Sequence, residues 1–363
     1  MDGRGTAPVR AGGHVPDTGR SAAGWRGAAA RWRRGRLAGA GLAAPPVARE
    51  GPPRRWTARL EGTHGAVRGD SSMTRPVLRQ PVVFAPDSAG IGRDAIRALY
   101  AELALHPKPG LVSPLDSGSH GDMDMGTFMR SLFSLRGYFR DIAAAGARGA
   151  DFPELRALGL DAERRMLVAT GGINTHRGAL FSLGLLAAAA GALKHEGLSL
   201  AGAALGEAVR ERWGRALIEA GHAARHDDSH GARAIRRYHV RGAREEASEG
   251  FPLVFTTALP ALDGVLARTG CLERAMVQAL FALMAVLPDT NLLHRGGAAG
   301  LDFVRDGARC FLEEGGVLAP DWRERALALH RACVARRLSP GGSADLLAAT
   351  WFVHHQRRGA ERP

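Results

Sequence analysis

Lysine is almost missing from this chain. Its 363 residues hold 49 Lys plus Arg, yet only Lys108 and Lys194 are lysines. Alternating Val, Ile and Thr, the mark of half-buried strands, is nearly absent, so a sheet has little support. Cysteine is scarce and odd in number: Cys271, Cys310 and Cys333 lie far apart. They form neither a disulfide framework nor a metal-binding pair, and each is expected to be a buried thiol in a reducing cytoplasm. Long apolar runs are missing too. The stretch Gly178–Leu193 has 16 residues without a charge, short of the ~20 that span a bilayer and rich in Ala and Gly. A buried central helix, closely approached by its neighbours, is the better reading, with no membrane partner.

The charge is unevenly spread. The net is +13, but residues 1–72 carry 13 Arg, no Lys and 5 acidic residues, a net of +8, which leaves +5 for 73–363. Residues 1–72 also hold 14 Gly, no Ile or Phe, and only 7 Leu plus Val. That is too little apolar surface to offset the entropy of ordering a chain, so a disordered Arg/Gly/Ala-rich extension is expected. An export signal around "GRLAGAGLAAPPVA", an organellar presequence and a nucleic-acid arm stacking through Trp25, Trp32 and Trp56 are weaker readings of the same stretch. The favoured one makes Met73 the true start and removes nucleic acid from the expected partners.

Helical spacing dominates from about Asp87. Helices are expected in "DSAGIGRDAIRALYAELALH", "MDMGTFMRSLFSLRGYFRDIAAAG", "LDAERRMLVAT", "THRGALFSLGLLAAAAGALK" and "LAGAALGEAVRERWGRALIEAG". Further helices fit 231–239, 254–269, 271–287, 300–314, 321–337 and 343–356. The expectation is one all-α, multi-helix globular domain over about 80–360.

Chemistry concentrates in polar, Gly-rich junctions between apolar helices. In "HPKPGLVSPLDSGSHGDMDMGTF", two prolines hold Lys108 in an extended link, and His120, Asp122 and Asp124 follow. The two aspartates suit Mg²⁺ shared with phosphate and water, or ordinary helix capping. In "ATGGINTHRGA", Gly171 and Gly172 let backbone N–H groups turn toward an anion, Asn174 or Thr175 caps the next helix, and His176 and Arg177 add donors. This reads as a phosphate cradle without the Lys-Ser/Thr ending of a Walker A loop, or as a tight helix–helix turn. "RGAREEASEGFP" offers Arg241 and Arg244 for phosphates and Glu245, Glu246 and Glu249 as base or ligand, or else a solvated helix face. "LPDTNLLHRGG" crowds Asp289, Asn291, His294 and Arg295 at one junction. "LSPGGSADLL" supplies Ser343 as a cap and Asp345 as an acid favoured by the helix dipole. The run His226–His230 invites a metal reading but matches no standard spacing.

Six stretches drawn from these five junctions, in order over about 95–356, resemble triphosphoribosyl-dephospho-coenzyme A synthases: "LHPKPGLV", "SHGDMDMGTFMRS", "ATGGINTHRGALFSLGLL", "RGAREEASEGFPLV", "DTNLLHRGG" and "LSPGGSADLLAATWF". Any one is weak, and six in order are specific. The resemblance implies an all-helical enzyme that joins the 5-triphosphoribosyl unit of ATP to the 2'-hydroxyl of 3'-dephospho-coenzyme A and releases adenine. The product would feed a phosphoribosyl-dephospho-coenzyme A transferase and, through it, the acyl carrier protein of citrate lyase or malonate decarboxylase. Residues 1–72 have no counterpart in the resemblance. Glu245 stands where the family pattern has Gly, which leaves Glu246 the better candidate of the two.

The residue types suit such a reaction. Breaking an N-glycosidic bond builds positive charge on the ribose, which carboxylates stabilise. Adenine leaves more easily when protonated, and the attacking hydroxyl needs a base. Asp122, Glu246 and Asp289 are the expected catalytic residues, and Asp122, Asp124 and Asp289 the expected Mg²⁺ ligands. Substrate and phosphate contacts are expected from Lys108, His120, Gly171, Gly172, Asn174, Thr175, His176, Arg177, Arg241, Arg244, Asn291, Arg295 and Ser343. Ala-rich helix faces are compatible with a homodimer. Two other classes stay open: a helical, Mg²⁺-dependent N-glycoside hydrolase of the ADP-ribose type, and a basic nucleic-acid-binding protein whose affinity resides in residues 1–72.

Overall fold

The computed structural model describes residues 87–223 and 230–360. The 1–72 segment, with the expectations placed on it and on Met73, lies outside the described residues, as does most of the His226–His230 run. The described residues are all-α: 76% of them are helical and no strand occurs among them.

Thirteen helices follow in chain order: α1 Ser88–Ala104, α2 Met125–Ser134, α3 Arg136–Ala147, α4 Phe152–Thr170, α5 Arg177–His195, α6 Ala204–Ala223, α7 His230–Tyr238, α8 Ala243–Ser248, α9 Leu259–Thr269, α10 Leu272–Val286, α11 Thr290–Glu313, α12 Trp322–Ala335 and α13 Gly341–Ala360. α5 is the hub. It is long and apolar enough to cross a membrane by length and composition, but the core takes up its side chains, from Ala179 and Leu180 to Ala192 and Leu193. Its small residues let other backbones close in. A methyl added at Gly191 would lie 2.0 Å from the carbonyl of Ala143 in α3, and one at Gly146 2.0 Å from that of Ala188 in α5. α13 and α1 pack beside this pair, burying Leu99, Phe139, Leu186 and Phe352.

Helix limits differ from the sequence expectation where backbone chemistry outweighs hydrophobic period. The second expected helix is two, α2 and α3, meeting at Leu135. α4 starts at Phe152, eight residues earlier than expected, because Asp151 accepts a hydrogen bond from the Glu154 N–H and Pro153 suits the first turn. The segment expected to be helical from 254 opens with a π-turn, Val254–Ala258, before α9. α11 begins at Thr290 rather than 300 and breaks at Gly297, whose φ of +63° leaves the helix. The expected loop 290–299 is therefore mostly helix, and it places the polar motif on a rigid element. Among the described residues the three cysteines are free, with Cys333 buried.

Candidate active site

Three helix starts are tied together by two carboxyls. Asp289 is the N-cap of α11, and one of its oxygens accepts from the backbone N–H of Asn291 at 3.0 Å and Leu292 at 3.4 Å. The other accepts from the Ser343 N–H at 2.9 Å and the Ser343 hydroxyl at 3.2 Å, in the first turn of α13. One buried carboxylate, 1% exposed, thus satisfies orphan donors of two helices at once. Gly341 and Gly342 permit this wrap: side chains there would press on Asn291 and on the Asp289 carboxyl. Burial pushes the Asp289 pKa up, and the bonds from Ser343, Asn291 and Gly342 pull it back.

The second carboxyl is Asp345, one turn into α13. It accepts from the Ala179 N–H at the start of α5, and a methyl on Gly178 would sit 1.9 Å from its oxygen. Burial, then the charges of Asp289 and Glu102, hold this carboxyl well above the usual carboxylate range. By area Asp345 is half-buried.

Around these starts lie groups whose roles differ from expectation. Lys108 is 1% exposed, and its ammonium donates to the Glu102 carboxylate at 2.6 Å and the Glu102 carbonyl at 2.7 Å. It neutralises a buried acid and does not reach out to a phosphate. His176 is 3% exposed. Burial, then Lys108, lowers its pKa to about 3, so it is a neutral imidazole and no phosphate-binding cation. Its Nδ1 meets Ser131 Oγ at 2.6 Å, while its Nε2 and the neighbouring Thr175 hydroxyl are buried with no partner among the described residues. Arg177 points elsewhere and pairs with Glu163. Asn174 caps α5 through the Arg177 N–H at 3.2 Å. Gly171 and Gly172, with φ of +70° and +89°, make the turn out of α4 that brings this strip to the helix start.

A separate cleft of about 520 Å³ is lined by Ser119, His120, Asp122, Arg295, Val334 and Arg337. Arg295 donates to His120 Nδ1 at 3.0 Å and to the carbonyls of Ser119 and Arg337. A guanidinium can only donate, so Nδ1 is the acceptor and the proton sits on Nε2, which bonds Ser339 Oγ at 2.9 Å. Burial, then Arg295, lowers the His120 pKa to about 4. Asp122 lies at the mouth, its side chain 62% exposed. The cleft and the junction are neighbours along one helix: Arg295 is six residues, about 9 Å, beyond Asp289 on α11. Residues 337–345 run from one to the other.

A pocket of about 210 Å³ holds Arg241, Glu246, Leu253 and the 286–288 strip that leads into Asp289. Glu246 is buried and accepts from the Leu253 N–H at 2.7 Å. Burial raises its pKa. Arg241 is exposed and paired with Glu249, and Arg244 lies half-buried in the first turn of α8. Glu245 turns back to accept from the Gly242 N–H at 2.9 Å, a helix-capping role that needs no chemistry.

The expected magnesium trio does not assemble. Asp124 caps α2 through the Thr127 N–H and hydroxyl, both 2.8 Å, Asp289 is engaged by backbone donors, and only Asp122 is free to meet an ion. Among the described residues no three His, Cys, Asp or Glu side chains are placed to hold a metal. Sequence reasoning missed Glu102, Ser131, Arg337 and Ser339, and treated Asp345 as a dipole acid. Ser131, Arg337, Ser339 and Asp345 reach His176, Arg295, His120 and α5 across distant segments, while Glu102 meets Lys108 six residues on, beyond the end of α1, so no motif spacing signals them. His330, also missed, sits between Asp116 at 3.3 Å and the Lys108 carbonyl at 2.8 Å and pins the Lys108 loop.

Residues 88–363 match the CitG family model, ATP:dephospho-CoA triphosphoribosyl transferase. The chain is 42% identical over 274 residues to the 2-(5''-triphosphoribosyl)-3'-dephosphocoenzyme-A synthase of Klebsiella pneumoniae, covering 74% of this chain and 91% of that one. It is 39% identical over 283 residues to the protein of the same name from Pectobacterium atrosepticum, covering 73% and 88%. No solved structure matches the chain.

Proposed function

The chain belongs to the ATP:dephospho-CoA triphosphoribosyl transferase family, and from that premise we propose how its three polar regions divide the reaction. It is a transferase, and its substrates are ATP and dephospho-CoA. In this reading the C1'–N9 bond of ATP breaks at the junction of α5, α11 and α13. The retained triphosphate lies in the Arg295–Arg337–His120 cleft. The Arg241–Glu246 pocket receives dephospho-CoA, with its pyrophosphate toward Arg241 and its 2'-hydroxyl toward Glu246, which takes the proton. Asp289 holds the helix starts in place. What supports the reading is the short path from cleft to junction, residues 337–345, which gives phosphates and glycosidic bond separate but adjoining seats.

Magnesium fits as a passenger of the triphosphate. Asp122 would meet it with one carboxylate, the remaining positions being phosphate oxygens and water. When bound it would neutralise charge on the triphosphate, which the reaction keeps intact. The further reading is that the product passes through a phosphoribosyl-dephospho-CoA transferase to the acyl carrier protein of citrate lyase or malonate decarboxylase, and that the enzyme is a cytoplasmic homodimer with no nucleic-acid or membrane partner. Loss of growth on citrate or on malonate after gene deletion separates the two destinations.

The test mixes purified protein with ATP and Mg²⁺, with and without dephospho-CoA, and follows adenine. Adenine only with the acceptor is the expected result. Adenine without it marks a hydrolase, and no adenine overturns both.

A further inference from the structure

The geometry points to Asp345 as the proton donor to the departing adenine, in a seat completed by Thr175 and His176; this rests on the transfer reading above. Two independent observations carry it. First, Asp345 is led to the start of α5. It accepts from the Ala179 N–H, and Gly178 leaves room where a methyl would lie 1.9 Å from the carboxyl oxygen. Second, that same helix start carries two buried polar atoms with no partner among the described residues, Thr175 Oγ1 and His176 Nε2. Leaving such groups unpaired is unfavourable, and a ligand that bonds both relieves it.

The chemistry of the seat selects the ligand. The charged groups facing Asp345 are acids: Glu102 on α1, itself paired with Lys108, and Asp289 at the start of α11. His176, just before α5, is neutral. A phosphate would meet three carboxyl groups here and no free cation from these side chains. An uncharged, hydrogen-bonding group such as a purine or a ribose hydroxyl suits it. Carboxyl repulsion and burial keep the Asp345 proton in place, and the α5 dipole steadies the carboxylate once the proton leaves.

The C1'–N9 bond breaks, and its electron pair stays on the purine. The Asp345 proton moves to a purine ring nitrogen. The 2'-oxygen of the acceptor bonds to C1' and loses its proton to Glu246. Solvent then returns the proton to Asp345 and removes it from Glu246.

The experiment compares ATP with an analogue methylated at purine N7, whose base departs neutral without a proton. Wild-type enzyme and Asp345→Asn are assayed with dephospho-CoA across pH. Asparagine keeps the shape and the bond from Ala179 but cannot donate a proton as an acid. Expected is an about 100-fold loss of kcat with ATP and a rate within a few-fold of wild type with the analogue. Equal loss on both substrates, or a near-normal rate with ATP, overturns the proposal. A second readout needs no variant: wild-type kcat with ATP falls at high pH as the acid deprotonates, and with the analogue that limb is absent. Identical profiles overturn the proposal as well. Wild-type enzyme that releases no base at all sinks the transfer reading itself, a result distinct from either.

Discussion

The α5–α11–α13 junction and the Arg295 cleft lie about two turns apart on one helix, built from similar side chains used in opposite ways. At the junction, carboxyls face backbone N–H groups and one another, the imidazole is neutral, and the lysine is locked to Glu102. In the cleft, the guanidinium stays near solvent, reaching a histidine and two carbonyls, with Asp122 the neighbouring carboxylate. Charge type alone does not assign a role. Burial and the donors already present decide whether an acid is a ligand, a cap or a proton carrier.

The largest effect should come from breaking the junction. Asp289→Ala leaves N–H groups of two helices unpaired and is expected to cost about 3–4 kcal/mol of stability. Denaturant unfolding measures it, and a loss below about 1 kcal/mol would remove Asp289 as the tie. Glu246→Gln should fold normally and lower kcat about 100-fold if that carboxylate accepts the hydroxyl proton. Arg295→Ala should raise the KM for ATP about tenfold with a smaller change in kcat. It should also move the His120 titration upward from about 4, visible by NMR, because a neighbouring cation is gone.

Acid tests both regions together. His120 and His176 have folded pKa values of about 4 and 3, below the ordinary value of about 6.5. As pH falls below 6.5 the unfolded chain takes up protons that the folded chain refuses. The contribution of these two histidines to stability is therefore complete above about pH 6.5 and is lost progressively toward 4 and below. Thermal unfolding across this range should show it, with the slope reduced in His120→Gln. The smallest effect is expected at Glu245→Gln: no change in kcat and a stability loss under about 1 kcal/mol, because Glu245 only caps α8. A large kcat loss there would undo the contrast with Glu246.

Much of the fold was legible because apolar residues recur at helical spacing and turn residues punctuate them. The α5 core helix was readable from its Ala- and Gly-rich run, and the close approach of Ala143 and Ala188 explains that composition. Where the reading slipped, a local signal was weak or hidden. The Gly296–Gly297 pair masked the first turns of α11, and a thin apolar period masked the start of α4 despite Asp151 and Pro153. The polar junctions were legible as places. What each residue does there was not, since Glu102 claims Lys108 and Ala179 holds Asp345 only after the chain has folded.

On the proposed division of the reaction, one region is neutral and works by proton transfer while its neighbour is cationic and holds phosphate. Infrared difference spectroscopy, wild type minus Asp345→Asn near neutral pH, tests it most directly. The expected result is a protonated-carboxyl band that vanishes in the variant. A difference spectrum showing only the loss of an ionised carboxylate would contradict it.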